Sequence, residues 1–437
     1  MINRRDFIKK SSIGLAATLI TPTIVPSSVF GKEAPSNRIT VACIGCGRQM
    51  VKPNIPQLLE SPHAQIVAAC DVDTWRLNNA VEQVNKFYSE AKGQTFKGCT
   101  PYTDYRKLLQ DKSIDAVMIS SPDHWHVPMA IDSIRAGKHV SLEKPISTCV
   151  EHGRKLVDAV KNSSIITRND SDYRTHANSW KIIEKVRNGR IGKLKRIYVS
   201  VPPELNGDAL PPQSTMPVPP ELDYDFWLGP AWEAPYTENR VHSIKKYSRP
   251  GWMRVSDYCN GMVTNWGAHL MGLAQWGNNT EYTGPVEIEG TGTFDKGLWN
   301  TLNQFAIRYK FKNGVEVFFT IEKPSVRFEG TDGWIEFDKK LIASSQDIID
   351  APLGANETSF EVKHNDKDDF LIAIKENKQS LEPLETGHRT ISMCQLGLIA
   401  IHTGSVVHWD PDKEVVTNDN AASAMLDIPI REKYFKF

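Results

Sequence analysis

The chain has 437 residues, 40% of them hydrophobic, which is enough to bury the cores of two domains of ordinary size. Lys and Arg together number 52, as do Asp and Glu, so no net charge attracts nucleic acid or an anionic membrane, and neither is expected as a partner. The seven cysteines are odd in number and scattered, which argues against a disulfide scaffold.

Residues 1–35 are predicted to be an export signal and linker. Arg4 and Arg5 precede the uncharged stretch SSIGLAATLITPTIVPSSVF, whose apolar part is too short and too rich in Thr, Ser and Pro to span a bilayer. The paired arginines, followed by Asp, Phe and Ile, resemble a twin-arginine signal. A Sec signal or a disordered tail is the alternative. We therefore expect a periplasmic or otherwise exported protein that does not contact the membrane once the signal is removed.

Residues 36–165 are predicted to form a doubly wound α/β domain with a parallel sheet, which is the Rossmann arrangement. Apolar runs separated by amphipathic helical segments imply strands that are buried on both faces. The predicted strands are RITVACIG, QIVAACD, TPY, IDAVMISSP and KHVSLEKP.

Residues 166–437 are predicted to form an α+β domain with a large, open, mostly antiparallel sheet. Apolar residues alternate there with period two, and pairs such as Asn313-Gly314 mark turns. The predicted strands are KLKRIYVSV, VEIEGTGTF, TLNQFAIRYKF, GVEVFFTIE, SVRFEG and GWIEFDK, and HRTISMCQLGLIAIHTG is predicted to be a core helix. Residues 201–220 hold seven prolines and cannot be regular structure. A sheet with one uncovered face usually needs a partner, so a homodimer or homotetramer is expected.

The stretch VACIGCGRQM supports two incompatible interpretations. Cys43 and Cys46 are spaced as C-x-x-C, which suits a redox pair or half of a zinc site, whereas Gly45 and Gly47 suit a turn around a nucleotide phosphate. The stretch ends a strand and begins a helix, and Asp71 stands at the tip of the next strand, which is the dinucleotide-binding pattern. We therefore interpret both cysteines as structural and predict no metal.

Two features qualify this pattern. Met50 replaces the third glycine of G-x-G-x-x-G, so close packing of the helix on the strand is not assured. Asp71 favours NAD over NADP because a carboxylate repels a 2′-phosphate, while Arg48 and Arg76 leave room for NADP. Asp73 either shares the ribose role or caps the following helix.

A longer segment, SIDAVMISSPDHWHVPMAIDSIRAGKHVSLEKPIS, carries a more specific signal. Its S-P-x-x-x-H turn and its A-G-K-H-V-x-x-E-K-P run resemble the signature of the Gfo/Idh/MocA oxidoreductases, a family of NAD(P)-dependent enzymes that act mainly on sugars and polyols. The resemblance covers residues 38 to about 330. It implies NAD as cofactor and a sugar, glycoside or polyol as small-molecule substrate. The residues expected at the cofactor are Gly45, Gly47, Arg48, Gln49, Asp71, Arg76, Ser121, Pro122, His126, Glu143 and Lys144.

The resemblance also implies catalytic roles. Lys144 would face the nicotinamide, where its ammonium group can bond the hydroxyl being oxidised and stabilise charge that develops on the oxygen. Pro145 would aim it through a rigid turn, with a cis bond as one option. The segment NGMVTNWGAHLMG corresponds to the family segment that supplies an acid and a histidine. His269 is retained as candidate base, but the acid position holds Asn265, which can only orient a hydroxyl.

Six further residues are predicted to contact the substrate, the tryptophans through ring faces that stack on a sugar. They are Arg168, Arg174, His176, Trp227, Trp252 and Trp266.

Three functions compete. The first is an exported NAD-dependent oxidoreductase that transfers a hydride between a sugar or glycoside hydroxyl carbon and nicotinamide. The second is redox-assisted glycoside cleavage with bound NAD⁺, which an exported branch of the family performs. The third is a non-catalytic sugar-binding protein that lost its chemistry when asparagine came to occupy position 265.

Overall fold

The computed structural model of the chain describes residues 37–93, 95–161, 163–204 and 209–437. The predicted export signal at residues 1–35 therefore lies outside the described residues. Residues 39–437 form one compact unit that contains both predicted sheets.

The predicted parallel sheet is present and has six strands in the order β3-β2-β1-β4-β5-β6. Successive residues of its first strand are buried on opposite faces, since Val41 and Cys43 join one core cluster while Ala42 and Ile44 join another. Burial on both faces is why the sequence is a near-continuous apolar run. The chain leaves β1 towards β2 and later returns to its other side at β4, which is the switch point where such sheets bind ligands. The strands are β1 Ile39–Ile44, β2 Ala64–Cys70, β3 Thr100–Tyr102, β4 Ala116–Ile119, β5 His139–Glu143 and β6 Thr167–Asp170.

Helices cover both faces of this sheet. The longest begins where the Asp73 carboxylate accepts from two backbone N–H groups and ends at Gly93, which has the left-handed φ of +62°. The helices are α1 Ile55–Glu60 after a π turn Met50–Asn54, α2 Thr74–Lys92, α3 Tyr105–Leu108, α4 His126–Arg135 after a 3-10 turn Asp123–Trp125, and α5 Val150–Lys161.

The second sheet has nine strands in the order β13-β12-β11-β7-β10-β9-β8-β14-β15. Its pairs are antiparallel except for β7 with β10, so the sheet is mixed, and mostly antiparallel as predicted. Along β9, Phe305, Ile307 and Tyr309 are buried and alternate with the exposed Ala306 and the half-buried Arg308, which is the period-two pattern of a sheet covered on one face. The strands are β7 Leu194–Val201, β8 Glu287–Phe294, β9 Leu302–Lys310, β10 Glu316–Ile321, β11 Ser325–Gly330, β12 Trp334–Asp338, β13 Lys340–Ala343, β14 Val407–Asp410 and β15 Val415–Val416.

Helices α6, α9 and α12 pack on the covered face and share one large core cluster with the strands. The predicted C-terminal core helix is α12. The helices of this part are α6 Ala177–Arg187, α7 Tyr224–Leu228, α8 Met262–Asn265, α9 Gly267–Asn278, α10 Gln346–Asp350, α11 Asp366–Glu376, α12 Leu384–Thr403 and α13 Asn420–Ala424, with a 3-10 turn at Gly251–Arg254.

The two domains are not separated cleanly in sequence. Strand β6 pairs with β5, so the parallel sheet continues to Asp170, past the boundary predicted at residue 165. Phe370 and Leu371 of α11 are buried in the core of the Rossmann domain, and Phe435 near the C-terminus joins its other core cluster. Segments far along the chain thus complete the first domain, which a local sequence pattern does not reveal.

Residues 221–253, here called the strap, contain the short helix α7 but are otherwise mostly irregular, and they cross from the second domain onto the ends of β1 and β2. Its start pairs with the β2–α2 connection: the Thr74 N–H donates to the Glu221 carbonyl at 2.9 Å, and the Asp223 N–H to the Val72 carbonyl at 3.0 Å. Further along, His242 Nε2 lies 3.0 Å from Asp73 Oδ2. The strap therefore forms one wall of the space above the parallel sheet.

Candidate active site

The glycine turn after β1 has the conformation that a dinucleotide site requires. Gly45 adopts a φ of +82°, and its N–H donates to the Cys70 carbonyl at 2.9 Å. A Cβ atom on Gly45 would lie 2.6 Å from the Ser121 nitrogen, so only glycine fits. A Cβ on Gly47 would meet nothing within 4 Å, because this residue borders the open cleft. An anion can therefore approach the backbone of the turn closely.

Asp71 follows β2 directly, where the ribose-binding acid is predicted. Its Oδ2 accepts from the Cys46 N–H at 2.6 Å and its Oδ1 from the Asp73 N–H at 2.8 Å. Burial raises the pKa of Asp71 to about 6. Of the two roles considered for Asp73, the structure shows the helix cap, and it is Asp71 that faces the cleft.

Met50, the departure from the glycine pattern, does not block the turn. Its side chain is fully buried in the core cluster that also holds Cys43, Cys46 and Leu77. From Met50 to Asn54 the helix that follows the glycine turn has the π form, which is wider than an α turn. The backbone thus accommodates the substitution without closing the cleft.

The C-x-x-C spacing has a structural explanation. All seven cysteines are buried free thiols. Burial raises the pKa of both Cys43 and Cys46, which disfavours the thiolate, the form that reacts and binds metal. Neither thiol has the chemistry that a redox pair or a zinc site needs.

The cleft above the turn encloses about 1030 Å³, including the solvent space at its mouth. Its walls come from the ends of β1, β2 and β4 and from the strap. Ser121 and Pro122 line it, and the buried Ser121 Oγ has no hydrogen-bond partner among the described residues. This unpaired hydroxyl lies beside a turn that only glycine can form. The combination suits a polar ligand, such as a dinucleotide, that would bond the hydroxyl. The turn, Asp71 and Ser121 are the groups that would hold it.

Arginines give the cleft positive charge. Arg48 from the turn and Arg249 from the strap both line it, and burial together with repulsion from Arg48 lowers the pKa of Arg249. Two neighbouring cations favour a pyrophosphate. Arg76 also borders the cleft, but its guanidinium donates to the Lys246 carbonyl at 2.8 Å and the Ser243 carbonyl at 3.3 Å. Its observed role is therefore to fix the strap.

Three further predicted cofactor residues differ in position: Gln49 lines the cleft, whereas Glu143 and His126 lie behind its wall. Glu143 Oε1 accepts from the Gln49 amide at 3.0 Å, and Gln49 itself lines the cleft. His126 is fully buried, with Nδ1 2.6 Å from the Pro145 carbonyl oxygen and Nε2 2.9 Å from the Ser121 carbonyl oxygen. Because both ring nitrogens face backbone carbonyls, His126 joins the two motif loops and does not line the cleft. Its predicted cofactor contact is thus corrected to a positioning role.

Lys144 follows β5 directly, and the Lys144-Pro145 peptide is cis. The Nζ atom donates to Asn265 Oδ1 at 3.1 Å. Burial lowers the pKa of Lys144, against the opposing effect of the Glu143 and Asp123 carboxylates. Asn265, which stands where the family has an acid, therefore positions the ammonium group by accepting its hydrogen bond.

His269 lies one helical turn beyond Asn265. Its Nδ1 is 2.6 Å from the Ser171 carbonyl oxygen, which can only accept, so the ring proton resides on Nδ1 and the lone pair on Nε2. Burial, and then the positive charge of Lys144, lower the pKa of His269 to about 3. The ring is therefore neutral at physiological pH and has the tautomer of a proton acceptor.

Trp266 and His176, two of the predicted substrate residues, lie at this histidine. The Trp266 ring centroid is 5.9 Å from that of His269. The exposed His176 stacks on Tyr173 at 5.7 Å, and Tyr173 lies 4.7 Å from His269. Two aromatic rings thus lie next to the candidate base, and such rings are common in sugar sites.

The remaining tryptophans lie elsewhere. Trp227 and Trp252 line the same cleft as the glycine turn. The Trp227 carbonyl accepts from Trp125 Nε1 at 2.9 Å, which fixes it in the wall. The structure therefore places these two rings in the dinucleotide cleft, whereas a substrate contact was predicted.

The predicted substrate arginines are structural. Arg168 is fully buried and forms an ion pair with Asp366 and another with Asp369 at 3.7 Å. Arg174 pairs with Glu281 at 2.6 Å and is also largely buried. Both guanidiniums are neutralised inside the fold, so the predicted substrate contacts are not observed.

Several site residues were missed by the sequence analysis. Asp123, one residue after the S-P motif, is buried beside Lys144, and burial raises its pKa to about 8. Tyr247 and Arg249 of the strap line the cleft. The arginine and tyrosine sit in KKYSRPGW, whose only signal is a cluster of basic and aromatic residues.

A separate set of side chains could in principle bind a metal. Within the described residues, Cys149, His152 and Asp427 offer ligand atoms within 4.8 Å of one another. His152 Nε2 already pairs with Asp427 Oδ1 at 3.1 Å, and none of the three lines the cleft. The absence of a metal stays a prediction. None of the helices in the described part of the chain has both the length and the apolar character to cross a membrane.

The parallel sheet, the glycine turn and the acid after β2 define a Rossmann-type dinucleotide-binding protein with an attached sheet domain. Two family models match the chain: the NAD-binding Rossmann fold of an oxidoreductase family over residues 39–170, and the C-terminal alpha/beta domain of that family over residues 208–436. The chain therefore belongs to the Gfo/Idh/MocA oxidoreductase family.

Individual relatives are more distant. The chain is 29% identical over 208 residues to an alpha-N-acetylgalactosaminidase of Shewanella oneidensis, and this match spans 44% of each protein, less than half of the relative's length. Among solved structures, an aldose-aldose oxidoreductase from Caulobacter crescentus complexed with glycerol superposes with a TM-score of 0.62 at 16% identity, covering 85% of this chain and 99% of that one. The WlbA dehydrogenase from Bordetella pertussis, in complex with NADH and UDP-GlcNAcA, gives 0.60 at 16% identity over 85% and 99%. These structural likenesses establish the fold.

Proposed function

We propose that the protein is an NAD-dependent oxidoreductase that acts on a hydroxyl-bearing carbon of a sugar or glycoside. The observation that carries the proposal is the group formed by Lys144 after β5, Asn265 at the end of α8 and His269 in the first turn of α9. An ammonium donor and an unprotonated imidazole nitrogen are held there. None of the three residues lines the dinucleotide cleft itself, but Glu143, which precedes Lys144, is hydrogen-bonded to Gln49 in the wall of the cleft. Nicotinamide, when bound, supplies the acceptor or donor of the hydride.

The side chains divide the remaining work. His269 Nε2 takes the hydroxyl proton as the carbon is oxidised, because Nδ1–H is committed to the Ser171 carbonyl. Lys144 donates a hydrogen bond to the same oxygen and stabilises the negative charge that develops on it. Asn265 keeps the ammonium group aimed at that position. The acid lost at position 265 is therefore not needed to accept the proton.

A carbohydrate substrate is supported by the surroundings of His269. The rings of Trp266 and Tyr173 lie 5.9 Å and 4.7 Å from the His269 ring, between centroids, and aromatic rings of this kind often contact sugars. The related structures carry glycerol in one case and a nucleotide-linked sugar in the other. NAD is proposed over NADP because Asp71 faces the cleft and Arg76 is engaged with the strap.

The test begins with the purified protein, which is denatured so that any released nucleotide can be identified. Glycosides and aldoses are then screened by the absorbance of reduced nicotinamide, with wild type and Lys144→Ala compared. We expect the rate of Lys144→Ala to fall by about 10²–10³-fold while the nucleotide is still bound. Equal rates in the two proteins would contradict the proposed site, and reduction by any sugar rules out a non-catalytic binding protein.

A second candidate is redox-assisted cleavage of a glycoside, favoured by the relative that is an alpha-N-acetylgalactosaminidase. Oxidation of the sugar acidifies a neighbouring C–H, and loss of that proton and of the aglycone leaves an unsaturated ketone. Water then adds to the double bond, and the hydride finally returns to the ketone carbon. Release of aglycone without net formation of NADH supports this reaction, whereas accumulation of NADH supports simple oxidation.

We further propose export through the twin-arginine signal at residues 1–35 and assembly through the open face of the nine-stranded sheet. That face carries Tyr198 stacked on Phe318 at 5.2 Å, and Tyr198 is 38% exposed. Fractionation of cells that express the full chain, with Arg4 and Arg5 replaced by lysine as control, tests export. Light scattering of wild type and of Tyr198→Glu tests whether this face joins two or more copies.

A further inference from the structure

Two arginines of the dinucleotide cleft have guanidinium groups that no other side chain uses. Arg48 of the glycine turn and Arg249 of the strap both line the cleft. Within the described part of the chain, neither donates a hydrogen bond or forms an ion pair. Arg76 of the same cleft is different, because it donates to two strap carbonyls and lies 3.4 Å from Asp73. The donors of Arg48 and Arg249 are therefore available to a ligand.

The carboxylates near these two arginines are committed to other partners. Asp71, which also lines the cleft, accepts from two backbone N–H groups. Glu143, behind the wall, accepts from the side-chain amides of Gln49 and Asn54 at 3.0 Å and 2.9 Å. The two guanidinium charges repel each other without a counter-charge from the protein, and a bound anion would offset that repulsion.

The backbone of the strap is fixed on both sides of Arg249. Two residues earlier, the ring of Tyr247 packs against α2, where the guanidinium of Arg76 lies 5.1 Å from the ring centroid. Three residues later, the Trp252 N–H donates to the Val241 carbonyl at 3.1 Å. The position of Arg249 over the cleft is thus set before any ligand arrives, which lowers the entropic cost of binding.

The surroundings favour a diphosphate as the anion. Arg48 directly follows Gly47, where no side chain separates the backbone from the open cleft. The unpaired Ser121 hydroxyl lies in the same cleft and can donate to a phosphate oxygen. A guanidinium group matches the oxygens of a phosphate with parallel N–H donors. A pyrophosphate carries two negative charges, one for each arginine, whereas a carboxylate would neutralise only one of them.

We propose that Arg249 of the strap and Arg48 of the glycine turn bind the pyrophosphate of the dinucleotide from opposite sides. This inference rests on the proposed function, because it takes the ligand of the cleft to be a nicotinamide dinucleotide. The glycine turn belongs to the first domain and the strap to the second, so both domains supply groups that hold the nucleotide. In this assignment Arg249 is a binding residue and takes no part in transfer of the hydride.

The test is Arg249→Met, which removes the charge and keeps a long apolar side chain. The full chain, freed of bound nucleotide, is titrated in a calorimeter with NAD⁺, ADP-ribose and adenosine. Affinity for NAD⁺ and ADP-ribose should fall by about 10–100-fold, while affinity for adenosine, which lacks phosphate, should change by less than about threefold. Lys246→Met is the matched control, because Lys246 is a strap cation that does not line the cleft. It should bind all three ligands as wild type does.

Two further measurements exclude a purely structural effect. The free energy of unfolding without nucleotide should not fall in Arg249→Met, since the substitution removes a repulsion and no hydrogen bond. A loss of stability with equally weakened binding of all three ligands overturns the proposal, because Arg249 would then only support the strap. Arg48→Met and the double variant complete a cycle, in which the double loss should be smaller than the two single losses combined. Strictly additive losses would mean that the arginines bind different groups, which also overturns the proposal.

The same ligands distinguish failure of this inference from failure of the proposed function. If wild type binds neither NAD⁺ nor ADP-ribose, the proposed function is wrong, and this inference with it. If wild type binds NAD⁺ and reduces it with a sugar, but Arg249→Met binds it equally well, only this inference is wrong. A rise confined to the KM for the sugar would then assign Arg249 to the substrate.

Discussion

The turn needs glycine at position 45 for two reasons, the positive φ and the lack of space for a Cβ atom, and Gly45→Ala tests both. The φ of +82° alone costs an alanine about 1–2 kcal/mol. The new Cβ would also lie 2.6 Å from the Ser121 nitrogen and 2.7 Å from the Ser120 carbonyl carbon. Relief of such a contact shifts backbone, and overpacking of this kind typically costs a further ~1–3 kcal/mol. The total expected loss in the free energy of unfolding is therefore about 2–5 kcal/mol.

Gly137→Ala is the matched control. Gly137 has a φ of +78°, but a Cβ there would meet nothing within 4 Å. Alanine at this position should therefore lose only the conformational term, about 1–2 kcal/mol. Both variants therefore carry the strain of a positive φ, but only Gly45→Ala adds a clash between the new Cβ atom and the backbone.

Denaturant titration and nucleotide calorimetry measure both consequences. Because the displaced backbone carries Ser120 and Ser121, Gly45→Ala should also weaken binding of NAD by at least about tenfold, equivalent to 1.4 kcal/mol. Gly137→Ala should bind NAD as wild type does. If the two variants were equally stable and bound the nucleotide equally well, the assignment of the turn as the dinucleotide cradle would be refuted.

Other predictions concern protonation and thiols. NAD affinity should fall as pH drops through about 6, because a protonated Asp71 no longer accepts from the ribose hydroxyls, and titration calorimetry of Asp71→Asn should show weaker binding without this dependence. Turnover should show no loss near pH ~6.5, where an ordinary histidine titrates, because His269 stays neutral until about pH 3; an acid limb near 6.5 that disappears in His269→Gln would contradict the assigned tautomer and pKa. Cys43 and Cys46 should resist alkylation in the folded protein and react after denaturation, as mass spectrometry can record, and fast labelling of either would revive the redox interpretation.

The strands and the glycine turn were predictable because local pattern decides them. Burial on both faces requires the apolar runs of β1 and β4, and the step from Ile44 to Gly45 marks the end of a strand in any context. The sequence motifs predicted that Lys144 and Asn265 lie in the same site. They did not predict the hydrogen bond between the two side chains, because motif spacing does not specify individual contacts.

The errors arise where the partner lies far along the chain. Arg168 looked available because its carboxylate, Asp366, is 198 residues away in sequence. Trp227 belongs to the cleft because the strap folds back over the sheet, and no local pattern records that path.

The strap affects how fast a bound nucleotide can be exchanged. Its contacts with α2, through Arg76 and through Asp73 with His242, close the chain over the space where the nucleotide would rest. The cleft still opens to solvent at its mouth, so these contacts would narrow the path of a bound nucleotide without sealing it in. Exchange of the nucleotide should therefore be slower than from a sheet edge that no strap crosses.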